Sequence, residues 1–238
     1  MGLMFGGFLA GMLVVLFIMV PADWIARRLF GKDRWIEGGV RKGFGAWLFT
    51  MGIFRLVRQA PSEGQPYPGA CVVICNHPGL FDVLFLIKDI PRLCVFVKPS
   101  LPRFLPLKQI LRSLGYVLAP DYGHVHPMDA AEAAMGEIRA GNKLQLFPEG
   151  TRSPKAELHR FLPGAFKIAR ITGVPVQPVF IRNDPPFLPK EDRWYYPPKE
   201  TCRLQLVFWE PLPAPAKGEE RAMAKALEQK YRQKLNME

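Results

Sequence analysis

The chain has 238 residues, of which 49% are hydrophobic and 22% are charged. These proportions are typical of a folded protein and exclude an intrinsically disordered chain. The formal net charge of +11 favours an acidic partner, such as nucleic acid, anionic lipid or a phosphorylated small molecule. The four cysteines are too few for the disulfide framework of a small secreted protein.

The first twenty residues, MGLMFGGFLAGMLVVLFIMV, contain no charged side chain. An α-helix needs about 20 apolar residues to cross a bilayer. Basic residues follow between Arg27 and Lys42, and such a flank stays cytoplasmic by the positive-inside rule. A cleaved signal peptide and a buried core helix are alternatives, although no basic stretch precedes the apolar segment. We predict attachment to a membrane, the inner membrane in a bacterium, with the rest of the chain on the cytoplasmic side.

Residues 35–59 are predicted to form a second, amphipathic helix, because apolar and basic side chains recur there at helical spacing. An apolar helix followed by a basic amphipathic one is typical of a unit that associates with a membrane. Packing of this helix on its own domain is the alternative. Residues 60–69, APSEGQPYPG, are the predicted linker. The chain is therefore divided into N-terminal membrane-associated helices, 1–59, and a second domain, 60–238.

Strand and helix patterns alternate after the linker. Apolar segments predict strands over 70–75, 92–97, 116–119, 143–147, 176–181 and 202–209. Helices are predicted between them over 80–88, 104–114, 128–140 and 161–171. Such alternation indicates an α/β fold with a mixed, largely parallel sheet flanked by helices. The charged C-terminal segment from Lys217 is predicted to be a helix with a solvated face.

A histidine and a carboxylate follow the first of these strands, in CVVICNHPGLFD. Asp82 lies five positions beyond His77, so its carboxylate can reach back to one imidazole nitrogen and leave the other to accept a proton. With no serine or cysteine nucleophile nearby, this pair indicates a base that acts on a hydroxyl of the substrate. A base of this type contributes about 10²–10⁴ in rate. A structural histidine beside a turn is the alternative.

A second polar turn follows the predicted strand 143–147, in LQLFPEGTRSP. Gly150 permits close approach of the backbone, and neighbouring N–H groups can bind an anion. Arg152 carries a planar guanidinium that matches a phosphate. Glu149 repels phosphate, so it is assigned to a substrate hydroxyl or to the arginine. A surface salt bridge at the end of a strand is the alternative.

Together these stretches resemble the 1-acylglycerol-3-phosphate acyltransferases. NHPGLFD at 76–82 matches the first block of that family, NHxxxxD, and FPEGTRS at 147–153 matches the third. VPVQPVFI at 174–181 is similar to the fourth block, and the order and spacing of the blocks also agree. The resemblance covers about residues 68 to 212, most of the part that follows the N-terminal helices.

The resemblance implies a membrane-bound enzyme that transfers a fatty acyl group from acyl-CoA or acyl carrier protein to a lysolipid hydroxyl. His77 would be the general base and Asp82 would hold it in place. The head group of the acceptor would be bound by four residues of the third block: Glu149, Gly150, Thr151 and Arg152. The family implies no covalent acyl-enzyme, no cofactor and no metal, and residues 60–238 would be the catalytic domain.

The second block departs from the family, which places an arginine a few residues after a glycine. Gly115 matches the glycine, but Asp121 lies near the position expected for the arginine. Lys98 or Arg103 could supply the cation instead. The departure leaves open another acceptor, such as a lyso-aminolipid, and also a non-catalytic lipid-binding protein of the same fold. A thioesterase or other hydrolase is a further alternative, because it would use the same base with water in place of the acceptor. Nucleic-acid binding is disfavoured, because the basic residues flank apolar segments and no reading motif occurs.

Overall fold

The computed structural model describes residues 37–79, 81–99, 115–120, 125–153, 157–187 and 200–236, with the isolated positions 6, 17, 21, 25, 28, 29 and 111. The described strands are β1 Val57–Gln59, β2 Val72–Cys75, β3 Leu93–Val97, β4 Tyr116–Leu118, β5 Lys143–Leu146, β6 Val176–Asp184 and β7 Cys202–Phe208. The described helices are α1 Glu37–Ile53, α2 Asp82–Asp89, α3 Pro127–Arg139, α4 Gly164–Thr172 and α5 Glu220–Asn236.

These strands form one seven-stranded sheet in the order β1-β7-β6-β2-β5-β3-β4. The pairing of β6 with β7 is antiparallel, and the other described pairings are parallel. Helices α2, α3 and α4 lie between successive parallel strands along the chain, as crossover connections require. The predicted α/β fold with a mixed, largely parallel sheet is confirmed.

Helices cover both faces of the sheet. On one face, Val40 of α1 and Leu86 of α2 pack with Val73 and Val95. On the other face, α3, α4 and α5 pack through residues such as Phe166 on Ile74, Leu144 and their neighbours. Strands β2 and β5 are buried on both faces, as expected for the centre of a parallel sheet. The sheet centre is therefore the rigid support for the polar turns that follow β2 and β5.

The predicted helix over 35–59 ends earlier, and its last residues form a strand. Arg55 has a positive φ of 54°, and Leu56 N donates to Met51 O over 3.0 Å. A residue in this conformation ends a helix, so the chain turns and Val57–Gln59 pairs with β7. A strand of three residues is too short to show an alternating pattern in the sequence.

Helix α1 packs on the sheet domain. Its buried side chains include Val40, Leu48 and Met51, and Arg41 Nε donates to Lys88 O on α2 over 2.9 Å. The predicted domain boundary at residue 60 directly follows β1. Buried residues on both sides of this boundary belong to the same hydrophobic clusters, so the described part of residues 1–59 shares the core of the second domain.

Most of the predicted membrane segment 1–20 lies outside the described residues, as does most of the predicted helix 104–114. Within the described ranges, no helix combines the length and the apolar character needed to cross a membrane.

The charged C-terminal helix is also part of the core. Ala224, Leu227 and Tyr231 of α5 are buried, and the Tyr231 hydroxyl donates to Ile74 O over 2.8 Å. These residues recur at the spacing of one helix face. The prediction that this helix presents only a solvated face is therefore wrong, because a narrow apolar stripe is hidden among many charged residues.

Candidate active site

The polar turns singled out in the sequence meet at one edge of the sheet. Strands β6, β2 and β5 are neighbours and run parallel. Their carboxyl ends therefore lie side by side, which is where open α/β sheets place their sites. The residues after β2 and after β5 are brought together here, although they are far apart in sequence.

Asn76 anchors the exit of β2. Its side-chain amide donates to Ile181 O over 3.0 Å and accepts from Ile181 N over 2.7 Å. The buried amide thus replaces a strand residue in the pairing between β2 and β6, and it satisfies both main-chain groups of Ile181. These two hydrogen bonds fix the position of the backbone directly before His77.

His77 and Asp82 are in direct contact. The imidazole Nδ1 lies 2.9 Å from Asp82 Oδ2, and the main-chain N–H of Gly79 donates to the same oxygen over 2.7 Å. Asp82 is the first residue of α2 and is fully buried. Burial raises the pKa of this carboxyl, while the hydrogen bonds and charge of His77 and the Gly79 N–H lower it. The Pro78-Gly79 turn makes the contact possible by returning the chain to His77.

The His77 imidazole is partly exposed at this edge of the sheet. The His77 ring stacks on Phe147, with ring centroids 3.8 Å apart and an angle of 6° between the planes. The side chain is 17% exposed. Within the described ranges, Nε2 has no hydrogen-bond partner. An imidazole bound through Nδ1 to a carboxylate and free at Nε2 can accept a proton from a hydroxyl.

Glu149 faces the protein interior. Its carboxylate accepts hydrogen bonds from His77 N over 3.1 Å, from His159 N over 2.8 Å and from Ser153 Oγ at 2.7 and 2.9 Å. Burial raises the pKa of this carboxyl, and the hydrogen bonds act in the opposite direction. With both oxygens engaged, Glu149 joins the backbone at His77 to the turn after β5.

The turn after β5 also binds the main-chain carbonyl of His77. Ser153 N donates to His77 O over 2.8 Å, so both main-chain groups of His77 are held by this turn. Gly150 has a φ of +70° and is exposed at the tip, and its N–H donates to Phe147 O over 3.0 Å. A positive φ favours glycine, so Gly150 allows the tight turn that places Ser153 beside His77.

Three further predicted binding residues, Thr151, Arg152 and Lys98, lie at or near this edge. Thr151 and Arg152 are half-buried between Gly150 and Ser153. Lys98 is exposed directly after β3, whose neighbour in the sheet is β5. Arg103, like Asp121 of the second block, lies outside the described residues.

Sequence reasoning assigned no role to four residues that hold this site: Asn76, Gly79, Ser153 and Asn183. Asn76, Gly79 and Ser153 lie inside the first and third blocks, so their place in these motifs could have indicated a role at the site. Asn183 comes two residues after the fourth block, and only the fold brings it to Asp82. Among the described residues, no group of three His, Cys, Asp or Glu side chains is arranged to hold a metal ion.

The fold and the site define a class: three-layer α/β proteins with a partly exposed histidine paired with a buried aspartate at the carboxyl ends of parallel strands. A family model described as Acyltransferase matches residues 60–182, and the chain belongs to this family. The crystal structure of the 1-acyl-sn-glycerophosphate (LPA) acyltransferase, PlsC, from Thermotoga maritima superposes with a TM-score of 0.77 at 23% identity. The match covers 99% of this chain and 94% of that chain, so the two chains share the α/β fold described above.

Curated relatives carry similar names. The human 1-acyl-sn-glycerol-3-phosphate acyltransferase beta is 31% identical over 111 residues, which are 46% of this chain and 40% of the human protein. The 1-acyl-sn-glycerol-3-phosphate acyltransferase of Borreliella burgdorferi is 31% identical over 126 residues, which are 51% of this chain and 49% of that protein. The matched part of the chain thus spans half or less of each of these two relatives.

Proposed function

We propose that this protein is a membrane-bound acyltransferase that moves a fatty acyl group from an acyl thioester to the free hydroxyl of a lysophospholipid. The preferred reaction converts 1-acylglycerol-3-phosphate to phosphatidic acid, as the names of the relatives suggest. The observation that carries the proposal is the imidazole of His77, bound through Nδ1 to buried Asp82 and 17% exposed.

In the proposed reaction, His77 Nε2 takes the proton of the acceptor hydroxyl as the oxygen attacks the thioester carbonyl carbon. Asp82 stabilises the imidazolium that forms and keeps Nε2 directed at the substrate. The C–S bond then breaks, the acyl group stays on the acceptor oxygen, and the thiolate takes the proton from His77. Acyl-CoA and acyl carrier protein are the two candidate donors, and no cofactor or metal enters these steps.

The head group is proposed to bind at the tip of the turn after β5. The exposed backbone at Gly150 and the side chains of Thr151 and Arg152 would contact it. Lys98, and Arg103 in addition, would supply further positive charge. Glu149 was also predicted to bind the head group; since its oxygens are engaged within the protein, we assign it to holding His77.

Membrane association is proposed to involve residues 1–59. Exposed apolar side chains at the end of α1 support this assignment: Phe49 is 72%, Ile53 63% and Phe54 59% exposed. Aromatic and aliphatic side chains of this kind insert at the boundary of a bilayer. Replacing all three with Ser should weaken co-sedimentation with anionic vesicles while the far-UV circular dichroism stays the same. Unchanged co-sedimentation would mean that these three side chains do not contribute to membrane binding.

The function is tested by acyl transfer with detergent-purified full-length protein. Acyl-CoA and acyl carrier protein thioesters are offered with lysophosphatidic acid, other lysophospholipids and a lyso-aminolipid. Phosphatidic acid is the expected product, and His77→Ala should lower its rate by about 10²-fold or more. His126→Ala is the control, because His126 lies at the start of α3, where its Nδ1 accepts from Met128 N.

The other outcomes separate the alternatives. Transfer only to a different lysolipid would show that Asp121 accompanies a change of acceptor. Release of free fatty acid without a lysolipid would indicate a thioesterase. No turnover of any thioester would leave a lipid-binding protein and overturn the proposal.

A further inference from the structure

The carboxylate of Asp82 has a second oxygen that does not face His77. Oδ2 is occupied by His77 Nδ1 and by the N–H of Gly79, whereas Oδ1 lies 3.3 Å from the side-chain nitrogen of Asn183. Asp82 is fully buried and Asn183 is 8% exposed. Asn183 lies near the end of β6. Its side chain contacts the Asp82 oxygen that does not face His77.

The orientation of the Asn183 amide follows from its other neighbours. Its Oδ1 is 3.1 Å from Phe187 N and 2.6 Å from Cys202 Sγ. A main-chain N–H and a thiol proton are both donors, so only the amide oxygen can face them. The NH₂ group must therefore point at Asp82, because the Phe187 N–H can only donate.

The turn at Gly79 closes the same space. A Cβ at Gly79 would lie 2.5 Å from Phe187 O, 2.9 Å from Asn183 Nδ2 and 3.0 Å from Asp82 Oδ1. No side chain fits between these groups. The loop after β2 and the segment after β6 are therefore packed against each other around one carboxylate.

We propose that Asn183 is a positioning residue that holds the Asp82 carboxylate for His77, with Cys202 and the Phe187 N–H fixing its amide as a donor. The inference rests on the proposed function, because it assigns Asn183 to the same reaction. Burial raises the pKa of Asp82, and the hydrogen bond from Asn183 is one of the contacts that lower it. Within the described part of the chain, the titratable groups that interact electrostatically with Asp82 include His77, Cys75 and Cys202.

Asn183→Asp is the main test, because it keeps the shape and replaces the donor with an acceptor facing Asp82. Asn142→Asp is the matched control: Asn142 Nδ2 donates to Glu137 Oε2 over 2.6 Å, just before β5 at the opposite edge of the sheet. Both substitutions set a second carboxyl against an existing one, but only the first is near His77. Asn183→Ala removes the donor without adding charge, in case Asn183→Asp does not fold.

We expect Asn183→Asp to lower kcat by about tenfold or more, a part of the 10²–10⁴ that a positioned base contributes, while KM for donor and acceptor changes less than about twofold. The acid limb of the rate–pH profile should move to higher pH, since loss of the donor favours protonated Asp82. Asn183→Ala should act in the same direction, and Asn142→Asp should match the wild type. Wild-type kcat and pH profile in both folded Asn183 variants would overturn the inference.

A second readout separates this inference from the proposed function. The ring nitrogen signals of His77, assigned by their loss in His77→Ala, report which nitrogen carries the proton. In the wild type we expect the proton on Nδ1, facing Asp82; Asn183→Asp should change this pattern and Asn142→Asp should not. If the wild type transfers no acyl group, the proposed function fails, and the nitrogen signals still decide whether Asn183 positions the pair. Identical signals in all the variants that retain His77 would count against it.

Discussion

The main-chain N–H of His77 donates a hydrogen bond to the Glu149 side chain over 3.1 Å, although 72 positions separate the two residues in the chain. The contact exists because β2 and β5 are adjacent parallel strands, so the turns that follow them share one edge of the sheet. Ser153 N completes the link by donating to His77 O. The first and third sequence blocks are thus parts of a single structure around one imidazole.

Replacing Glu149 with Gln should reduce turnover more than acceptor binding. Glutamine has one acceptor oxygen for three donors, and its NH₂ group would face a main-chain N–H. We expect kcat to fall about tenfold or more while KM for the lysolipid changes less than about twofold. Initial rates over a range of acceptor concentrations provide the measurement.

Glu228→Gln is the matched control for this variant, because Glu228 on α5 also accepts from a main-chain N–H, that of Phe161, over 2.9 Å. It should leave both constants near wild type. A large rise in KM with unchanged kcat in Glu149→Gln would instead mean that Glu149 contacts the head group.

The stability of the protein should depend on pH through Glu149. Burial raises the pKa of this carboxyl above its ordinary value of 4.5. A carboxyl with a raised folded-state pKa contributes stability that is fully present below its unfolded-state pKa and is lost as pH rises through the folded-state pKa. The Tm of Glu149→Gln minus the Tm of the wild type should therefore become more positive from about pH 4 to about pH 8.

Thermal unfolding followed by circular dichroism at a series of pH values measures this difference. In a chain of this size, about 1 kcal/mol changes the Tm by about 2–4 °C, so the trend is measurable. A second set of buffers controls for their own heats of ionisation. A Tm difference that is constant with pH would contradict the prediction.

Gly79→Ala should destabilise the protein, because the added Cβ would lie 2.5 Å from Phe187 O, a main-chain atom. Forcing extra volume into such a packed site costs about 1–3 kcal/mol. Urea unfolding should show this loss in the free energy of unfolding, and acyl transfer should fall with it because Gly79 N contacts Asp82.

Gly136→Ala is the comparison for this variant. Gly136 lies within α3, and a Cβ there meets nothing within 4 Å, so alanine should raise stability by about 0.5–1 kcal/mol. If Gly79→Ala were as stable as Gly136→Ala, the close approach around Asp82 would be refuted.

Tyr231→Phe should remove one buried hydrogen bond without opening a cavity. The hydroxyl donates to Ile74 O over 2.8 Å and joins α5 to β2, one residue before Cys75. A typical hydrogen bond contributes about 0.5–1.5 kcal/mol, and the free energy of unfolding should fall by that amount. Tyr67→Phe is the control, since Tyr67 is half-buried and its hydroxyl has no hydrogen bond within the described ranges. Equal losses in the two variants would contradict the prediction.

The candidate site was predictable where its contacts are local or its motif is dense. The pairing of His77 with Asp82 follows from a spacing of five positions, about one helical turn after a Pro-Gly bend. The loop from Glu149 to Arg152 was found for a similar reason, because polar groups and a glycine follow an apolar strand. The inward orientation of Glu149 was not predictable, since it depends on a contact with the backbone of His77, 72 positions away in the chain.

The fold was predictable to the same extent. The alternation of apolar and helical segments indicated the α/β class and six of the seven described strands, because a strand buried on both faces is a continuous apolar run. Strand β1 was missed, because three residues are too few to show an alternation of apolar and polar side chains. Its extended conformation depends on its pairing with β7. The buried face of α5 was missed because Ala224, Leu227 and Tyr231 are separated by many charged residues.

The sequence by itself determined the layered α/β class, the place of the polar turns at strand ends and the His77–Asp82 contact. These features depend on periodicity and on neighbours within a few residues, so they are encoded locally. Only the tertiary structure decided that Glu149 holds His77 and that Asn183, 101 positions from Asp82, faces its second oxygen. Such contacts depend on which strands are adjacent, and strand order results from packing of the whole chain.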